Sequence, residues 1–179
     1  MLVKRIVVGM LEENCYIVEN KNECIIIDPG DEVSKIIKNI TLKPIAILIT
    51  HRHFDHIGAL EETKEKYNIP VYEYNNLKEG KLNIGGFNIE VIYTPGHTDD
   101  SVTYYFKNDQ VMFTGDFLFK DSIGRTDLKT GNLEKMRKSI RKIKEYCDII
   151  KVYPGHNDST TIGYEKDSNI YFKEELWKK

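Results

Sequence analysis

The chain has 179 residues, of which 40% are hydrophobic and 30% are charged, and its formal net charge is -2. This length fits a single domain over residues 1–179 with a real hydrophobic core. The acidic balance provides no basic surface for nucleic acid, and no apolar run is long enough to cross a membrane.

The start of the chain and its cysteines indicate where the protein functions. Met1 to Val8 carries charge within its apolar stretch and lacks a signal-peptide layout. Cys15, Cys24 and Cys147 are scattered and form no C-x-x-C pair. We therefore expect a cytoplasmic protein whose three cysteines are reduced thiols in the core.

The first part of the chain alternates strand and helix patterns. Three strand-like runs come first, with a turn at residues 19–22 between the last two: Lys4 to Val8, Cys15 to Val18 and Glu23 to Ile27. Apolar residues at helical spacing then predict a helix from Val33 to Ile40. A buried strand, Ile45 to Ile49, and a second helix, Leu60 to Tyr67, follow.

The second part is richer in strands. It contains a strand at Val71 to Tyr74, a hairpin around Gly85-Gly86, a hairpin joining Val102–Phe106 to the run from Val111 to Thr114, and a strand at Ile149 to Tyr153. An apolar stripe from Leu133 to Tyr146 predicts a helix whose Lys/Arg residues form a solvated face. The pattern predicts an α/β protein with outer helices and with its loops of polar residues at one edge.

One short stretch has the residue types of a metal site. His51, His53, Asp55 and His56 lie within six residues, directly after the predicted strand that ends at Ile49. Residues i and i+2 of an extended backbone point to the same side, so His51 and His53 can hold one cation together. Asp55 and His56 follow where the chain turns into a helix, so they can reach a second position. The alternatives are solvated histidines and an Asp55 that only caps the helix.

Other candidate ligands also follow strands. His97 and His156 each come after a strand-like run and a Pro-Gly pair, and loops at strand ends often carry function. Asp116 ends a third such run; its two oxygens can bridge two cations, or it can serve as a turn residue after Gly115. Asp28 either shapes a turn or orients a metal ligand.

Four segments, in this order, resemble the metallo-β-lactamase fold superfamily: THRHFDHIG (50–58), TPGHT (94–98), FTGD (113–116) and YPGH (153–156). The resemblance spans nearly the whole chain. It implies an αββα sandwich of two mixed β-sheets with outer helices, and a dinuclear metal site at the sheet edges. Residues 114–127 and 160–165 resemble the small hydrolases similar to glyoxalase II.

The resemblance also implies the role of each ligand. One metal is held by His51, His53 and His97, the other by Asp55, His56 and His156, and Asp116 bridges them. Imidazole and carboxylate ligands suit zinc, our first choice for the two divalent ions, and also iron or manganese.

These ligands imply a hydrolytic reaction. Two cations roughly 3.5–4 Å apart make a shared water a hydroxide near neutral pH, able to attack a thioester or ester carbonyl. Asp55 and Asp116 are the expected catalytic residues, primarily as ligands, because a ligand carboxylate cannot also be a free general base. The predicted substrate is a small-molecule thioester or ester.

Features outside the ligands bear on the substrate. Glyoxalase II proteins carry a helical C-terminal extension that supplies much of the glutathione pocket, whereas only residues 157–179 follow His156 here. The expected absence of this extension argues against hydroxyacylglutathione as the substrate. Arg125 can bind a substrate carboxylate through two nitrogens, or it can pair with Asp127 or Asp121 to hold its loop.

Other functions fit parts of the pattern. A mononuclear iron enzyme of the persulfide dioxygenase kind also carries a Gly-Arg-Thr-Asp segment, but the complete second ligand set, including His156, favours two metals. Nucleic-acid processing is disfavoured by short length and acidic balance, and β-lactam hydrolysis by Asp116, which stands where several of those enzymes have Cys. The tail from Tyr171 to Lys179 can form a docking helix or an interface.

Overall fold

A computed structural model describes residues 1–173 of the chain. Five strands form the first sheet, and their spatial order is their order in the chain: β1 (Leu2–Val8), β2 (Glu13–Glu19), β3 (Glu23–Ile27), β4 (Lys43–Leu48) and β5 (Val71–Tyr72). The first three strands are antiparallel, whereas β3, β4 and β5 run parallel to one another. The sheet is therefore mixed, as expected.

The second part of the chain forms a six-stranded sheet and a small ribbon. The strands, in chain order, are β6 (Gly80–Ile84), β7 (Phe87–Tyr93), β8 (Val102–Phe106), β9 (Val111–Gly115), the ribbon strands β10 (Leu118–Phe119) and β11 (Ser122–Ile123), and then β12 (Lys151–Pro154) and β13 (Thr160–Thr161). The spatial order of the large sheet is β13, β12, β9, β8, β7, β6. Its β9–β12 pair is parallel and its other pairs are antiparallel.

The helices lie between these strands in the chain, except for the last ones, which follow β13. They are α1 (Val33–Asn39), α2 (Phe54–Ile57), α3 (Leu60–Tyr67), α4 (Leu133–Lys144) and α5 (Ile162–Ser168), with short 3-10 helices at Tyr74–Asn76 and Ile170–Phe172. Within residues 1–173, no helix has both the length and the apolar content needed to cross a bilayer.

Alternating side chains of single strands build the layers. Ile25 of β3 packs in the core between the two sheets, whereas its neighbour Ile26 packs with residues of α1 and α3. Phe113 of β9 also faces the core between the sheets, and Met112 packs with residues of α4 and α5. The order of layers is helix, sheet, sheet, helix, which confirms the predicted αββα sandwich.

One edge of the sandwich gathers the strand ends that matter for function. Strands β4, β7, β9 and β12 are each followed by a segment with predicted ligands. The Val102 N–H donates to the Thr50 carbonyl (2.8 Å), which joins the second sheet to the loop after β4. The Asn14 N–H donates to the Gly155 carbonyl (2.7 Å), which joins β2 to the loop after β12. Loops from both sheets are thereby fixed next to one another.

The predicted elements are present with changed ends. The helix from Leu60 to Tyr67 has the predicted bounds. The strand predicted from Val71 to Tyr74 stops at Tyr72, because only two of its residues pair with β4. The strand predicted from Ile149 begins two residues later, and Ile149 is 63% exposed. The strand propensity of the residues indicates that a strand is present, but it does not show at which residue the pairing with the neighbouring strand ends.

The cysteine prediction is partly wrong. Cys15 and Cys24 are buried free thiols, as expected, but Cys147 is exposed. Cys147 lies three residues after the end of α4. Ile143, within the helix, occupies the buried position of the apolar stripe.

No sequence prediction covers β13 or α5. Thr161 caps α5, since its side chain accepts a hydrogen bond from the Tyr164 N–H (3.1 Å), and this capping residue is a signal that the sequence offers. The predicted tail can be assessed only at its start: Phe172 is buried in the cluster of α4. Residues 174–179 of that prediction lie outside the described residues.

Candidate metal centre

All seven predicted ligands meet at the edge where the loops of both sheets converge. The ligand atoms fall into two groups, and within each group they lie within 4.8 Å of one another. The groups are His51, His53, His97 and Asp116, and Asp55, His56 and His156. This grouping follows the assignment that the family resemblance implies.

In the first group, three ring nitrogens face one point. His53 Nδ1 lies 3.1 Å from His51 Nε2 and 2.9 Å from His97 Nε2. Asp116 Oδ2 is 3.6 Å from His97 Nε2. Three imidazole nitrogens and a carboxylate oxygen at such distances resemble the donor set around a divalent transition metal.

The second group uses the short helix α2 and the loop after β12. Asp55 Oδ2 lies 3.3 Å from His156 Nε2 and 3.9 Å from His56 Nε2. Helix α2 begins at Phe54, and its N-cap is His53. The alternative that Asp55 merely caps this helix is therefore wrong.

Asp116 stands between the two groups. Its Oδ1 is 3.2 Å from His56 Nε2, and its Oδ2 is 3.5 Å from His156 Nε2 as well as close to His97. Gly155 makes room for it: a Cβ at that position would lie 2.3 Å from Asp116 Oδ1 and 2.6 Å from His56 Cε1. Any side chain at residue 155 would push this carboxylate or the His56 ring away.

Four of the histidines have a hydrogen-bond partner on Nδ1, the ring nitrogen that is turned away from the candidate centre. His97 Nδ1 lies 2.8 Å from the Arg125 carbonyl and His156 Nδ1 lies 3.0 Å from the Leu11 carbonyl, so both nitrogens are donors. Their Nε2 atoms are then free of a proton in the neutral ring and point into the centre. Such partners fix the ring orientation and the tautomer of a metal-ligating histidine.

Asp28 and Thr50 complete this outer network. Asp28 accepts from the Thr50 N–H (2.7 Å) and from the Thr50 hydroxyl (2.6 Å), and its Oδ2 is 3.0 Å from His56 Nδ1. The Thr50 oxygen lies 3.2 Å from His51 Nδ1 and can accept from it. Both interpretations of Asp28 hold, because its φ is +47° in the turn and its carboxylate orients His56.

The donor atoms fit divalent cations. His56 Nε2 and Asp116 Oδ1 are buried and have no hydrogen-bond partner among the described residues, although they lie 3.2 Å apart. Buried polar atoms are nearly always paired, and those left unpaired call for an explanation. A nitrogen and an oxygen that face the same point and lack partners are explained by ions that both would bind.

The charges of the ligands also fit this interpretation. Burial lowers the pKa of His51 well below its usual value, and neighbouring His56 and His97 add to that effect. Burial opposes the ionised form of Asp116, but its contact with His56 lowers the pKa of this carboxyl. Burial also disfavours the charged His56 ring, yet Asp116 and Asp28 together raise its pKa well above the usual value. The carboxylates of Asp116 and Asp28 therefore favour positive charge at the candidate centre. A bound cation can supply this charge.

The Arg125 side chain is exposed and contacts none of the predicted ligands in the hydrogen bonds and ion pairs of the described residues. It forms a bidentate ion pair with Asp127: Nε donates to Oδ1 at 2.7 Å and Nη2 donates to Oδ2 at 2.8 Å. This pair lowers the pKa of Asp127 to about 2. Asp121, the other predicted partner, instead contacts the Tyr164 hydroxyl (3.2 Å). The backbone of Arg125 orients His97, whereas a role of its side chain in substrate binding stays a prediction.

One buried residue beside the centre has no role in the sequence analysis. Glu13, at the start of β2, has its Oε1 3.7 Å from His56 Nδ1. Burial raises the pKa of the Glu13 carboxyl well above its usual value, and the neighbouring His56 opposes this effect. Glu13 precedes the strand predicted from Cys15, and its position in the sequence gives no signal of this placement.

Two cavities lie next to the two ligand groups. One, of about 540 Å³, is beside His53 and includes Arg52, Leu128 and Lys129 in its wall. The other, of about 250 Å³, is beside Asp55 and is lined by Met10, Leu11 and Phe54 among others. Met10 is 99% exposed and Phe54 is 74% exposed. The wall of the larger cavity therefore has charges of both signs, because Asp99 and Asp100 line it together with Arg52 and Lys129, whereas the smaller cavity presents exposed apolar side chains.

Comparison with protein families gives one match over most of the chain. A family model described as the Metallo-beta-lactamase superfamily matches residues 8–83 and 75–156. The probable metallo-hydrolase YqgX of Bacillus subtilis is 39% identical, over 94% of this chain and 96% of that protein. The hydroxyacylglutathione hydrolase GloC of Haemophilus influenzae is 31% identical, over 96% of this chain and 98% of that protein.

Solved structures give the same match in three dimensions. The B3 metallo-β-lactamase BLEG-1 has a TM-score of 0.92 and is 35% identical, covering 96% of this chain and 100% of that one. TTHA1623 in a di-iron-bound form has a TM-score of 0.88 and is 31% identical, covering 94% of this chain and 99% of that one.

Proposed function

Because this chain belongs to the metallo-β-lactamase superfamily, we propose that it is a two-metal hydrolase that cleaves thioesters of the hydroxyacylglutathione kind. The observation that carries the proposal is the position of Asp116, whose two oxygens contact histidines of both ligand groups. A carboxylate shared in this way would give each group a fourth donor for a cation.

The residues of the chain prepare this site for the reaction. When bound, two divalent cations polarise a carbonyl oxygen and activate a water molecule near neutral pH. Asp55 and Asp116 act as ligands. Asp28, Thr50 and the two backbone carbonyls keep the histidine rings in the orientation that ligation needs. Neither ligand group includes a cysteine among the described residues.

The thioester is favoured by one relative and by the surroundings of the centre. The hydroxyacylglutathione hydrolase GloC is matched over 98% of its length, so almost all of the protein that bears that name has a counterpart here. This coverage outweighs the sequence-based expectation that argued against hydroxyacylglutathione. Lys129 lies in the wall of the larger cavity and can attract a carboxylate of a glutathione-like group, although Asp99 and Asp100 share that wall. The apolar side chains of the smaller cavity can contact the acyl part.

The remaining parts of the proposal concern the identity of the bound metal and the cellular compartment of the protein. We propose zinc or iron as the metal, since the ligand types suit both and a neighbour of 31% identity is a di-iron form. The free, buried Cys15 and Cys24 support a reducing compartment such as the cytoplasm. The substrate is a small molecule, and one domain, residues 1–179, carries the activity.

A second candidate is β-lactam hydrolysis. It is favoured by the likeness to BLEG-1, a B3 metallo-β-lactamase. It is disfavoured by Asp116, which occupies the position of a cysteine in several such enzymes. The two candidates require the same ions and differ only in the substrate.

The test combines metal analysis with a substrate panel. The protein is purified without added metal, and Zn, Fe and Mn are counted per chain. S-lactoylglutathione, a lactone and a chromogenic cephalosporin are then assayed on the same sample. We expect about two ions per chain, with the thioester cleaved fastest. Faster turnover of the cephalosporin would favour the second candidate.

Two variants make the test specific to the site. Asp55→Asn should lose one ion and at least about 100-fold in thioester turnover, since it removes a ligand. Asp109→Asn is the matched control, because Asp109 is exposed in the turn that precedes β9, at the end of that strand remote from Asp116. One ion at most, with hydrolysis intact in Asp55→Asn, would refute the proposal. One iron with persulfide-dependent oxygen uptake would support the dioxygenase alternative.

A further inference from the structure

The carboxyl of Glu13 is buried without a partner. Glu13 is the first residue of β2 and is only 1% exposed. Neither of its carboxyl oxygens has a hydrogen-bond partner among the described residues. An unpaired buried carboxyl is among the costliest groups that a fold can contain, so its presence points to a role other than folding.

The position of this carboxyl connects it to the second ligand group. Its Oε1 lies 3.7 Å from His56 Nδ1, the nitrogen that Asp28 already contacts at 3.0 Å. The single N–H of that nitrogen is therefore given to Asp28. On its other side, a Cβ built on Gly30 would lie 2.6 Å from Glu13 Oε2 and 1.8 Å from the Asp55 carbonyl. Glu13 thus lies beneath the short helix that carries Asp55 and His56.

The two ligand groups differ in what lies behind their histidines. In the first group, His51 and His97 contact neutral acceptors, the Thr50 hydroxyl and the Arg125 carbonyl. In the second group, two carboxylates, Asp28 and Glu13, stand behind His56. Charge in such a buried region is weakly screened, so a second carboxylate strengthens the attraction of a cation on the far side of the ring.

We propose that Glu13 is a positioning residue for the second cation, acting through His56 and the helix that carries Asp55. The inference rests on the two-metal function proposed above. It assigns to Glu13 an effect on the Asp55–His56–His156 group alone. A residue that only supports the fold would affect both groups and the thermal stability.

The test is a metal titration of the stripped protein. Metal is removed with a chelator, and Zn²⁺ is titrated against a competing chromogenic chelator to obtain both dissociation constants. For Glu13→Gln, we expect the second Zn²⁺ to bind about 10-fold more weakly, the size typical for partners of metal ligands. The first Zn²⁺ should bind as in the wild type. The stripped variant should melt no lower than the wild type, because the substitution removes an unpaired buried carboxyl.

Matched variants separate charge from shape. Glu19→Gln makes the same change at the other end of β2, where the buried carboxylate is paired with Lys4 and Thr41 and is not part of either ligand group. It should leave both dissociation constants unchanged. Glu13→Leu, of similar bulk and without charge, should reproduce the effect of Glu13→Gln.

Each result decides the question. Unchanged affinity for the second Zn²⁺ in Glu13→Gln would overturn the proposal, as would weakening of both sites together with a lower melting temperature. If neither Glu13 variant folds, Glu13 belongs to the fold and the proposal also fails. Wild-type protein that binds only one Zn²⁺ would instead refute the two-metal function itself.

Discussion

Replacing Asp116 by asparagine tests whether one carboxylate serves both ions. The amide keeps the shape of the side chain but removes its negative charge and one acceptor oxygen. In the wild type, Oδ1 lies 3.2 Å from His56 Nε2, and Oδ2 lies 3.5 Å from His156 Nε2 and 3.6 Å from His97 Nε2. The substitution therefore affects both ligand groups at once.

The expected loss follows from this geometry. Removing a partner outside the ligand sphere typically costs 10- to 100-fold in metal affinity. Removing a shared ligand should cost at least about 100-fold for each ion, which corresponds to about 3 kcal/mol per ion. Thioester hydrolysis at limiting metal should fall at least in proportion.

Competitive titration with a chromogenic chelator measures both affinities, and circular dichroism checks that the variant is folded. Asp55→Asn is the informative comparison, because Asp55 Oδ2 contacts only His56 and His156 of the second group. It should weaken one ion where Asp116→Asn weakens two. If Asp116→Asn weakens only one ion, the carboxylate is not shared and the reasoning is wrong.

Three further predictions concern the surroundings of the centre. Asp28→Asn should lower the free energy of unfolding by about 3 kcal/mol in urea titrations of the stripped protein, because three donors lose a buried carboxylate; a change near zero would contradict this. Gly155→Ala should keep the fold by circular dichroism yet lose metal by elemental analysis, because its Cβ would lie 2.3 Å from Asp116 Oδ1; full metal content would show that the carboxylate can move at no cost. If Arg125 binds a substrate carboxylate, Arg125→Ala should raise KM for S-lactoylglutathione several-fold and change kcat little. Asp127→Ala should lower KM, because it removes the partner that now holds the Arg125 guanidinium. If both variants have the KM and kcat of the wild type, Arg125 only stabilises its loop and does not bind the substrate.

Much of the site could be predicted because ligand chemistry is carried by residue type and local spacing. Alternation along an extended chain placed His51 and His53 on one side, and the turn that follows placed Asp55 and His56 towards a second position. The strand-end positions of His97, Asp116 and His156 indicated loops. The sequence predicted that these loops share one edge, but it did not show which of their atoms come together, because the loops belong to two different sheets.

Strand and helix identity were also predictable, whereas element ends were not. Hydrophobic alternation marks a strand, but pairing with a neighbour decides where it stops, as at Tyr72 and Lys151. Helix α5 was missed because its apolar pattern is short, even though Thr161 offers a capping signal.

The sequence by itself determined the layered α/β class and brought out the seven candidate ligands, because periodicity and donor type are properties of the side chains. The tertiary structure alone decided what stands behind those ligands. The Leu11 and Arg125 carbonyls orient two histidines, yet every residue has a carbonyl and none can be singled out in a sequence. Glu13 was hidden for a related reason: one carboxylate at a strand start looks ordinary until packing brings it beside His56 and excludes water from it.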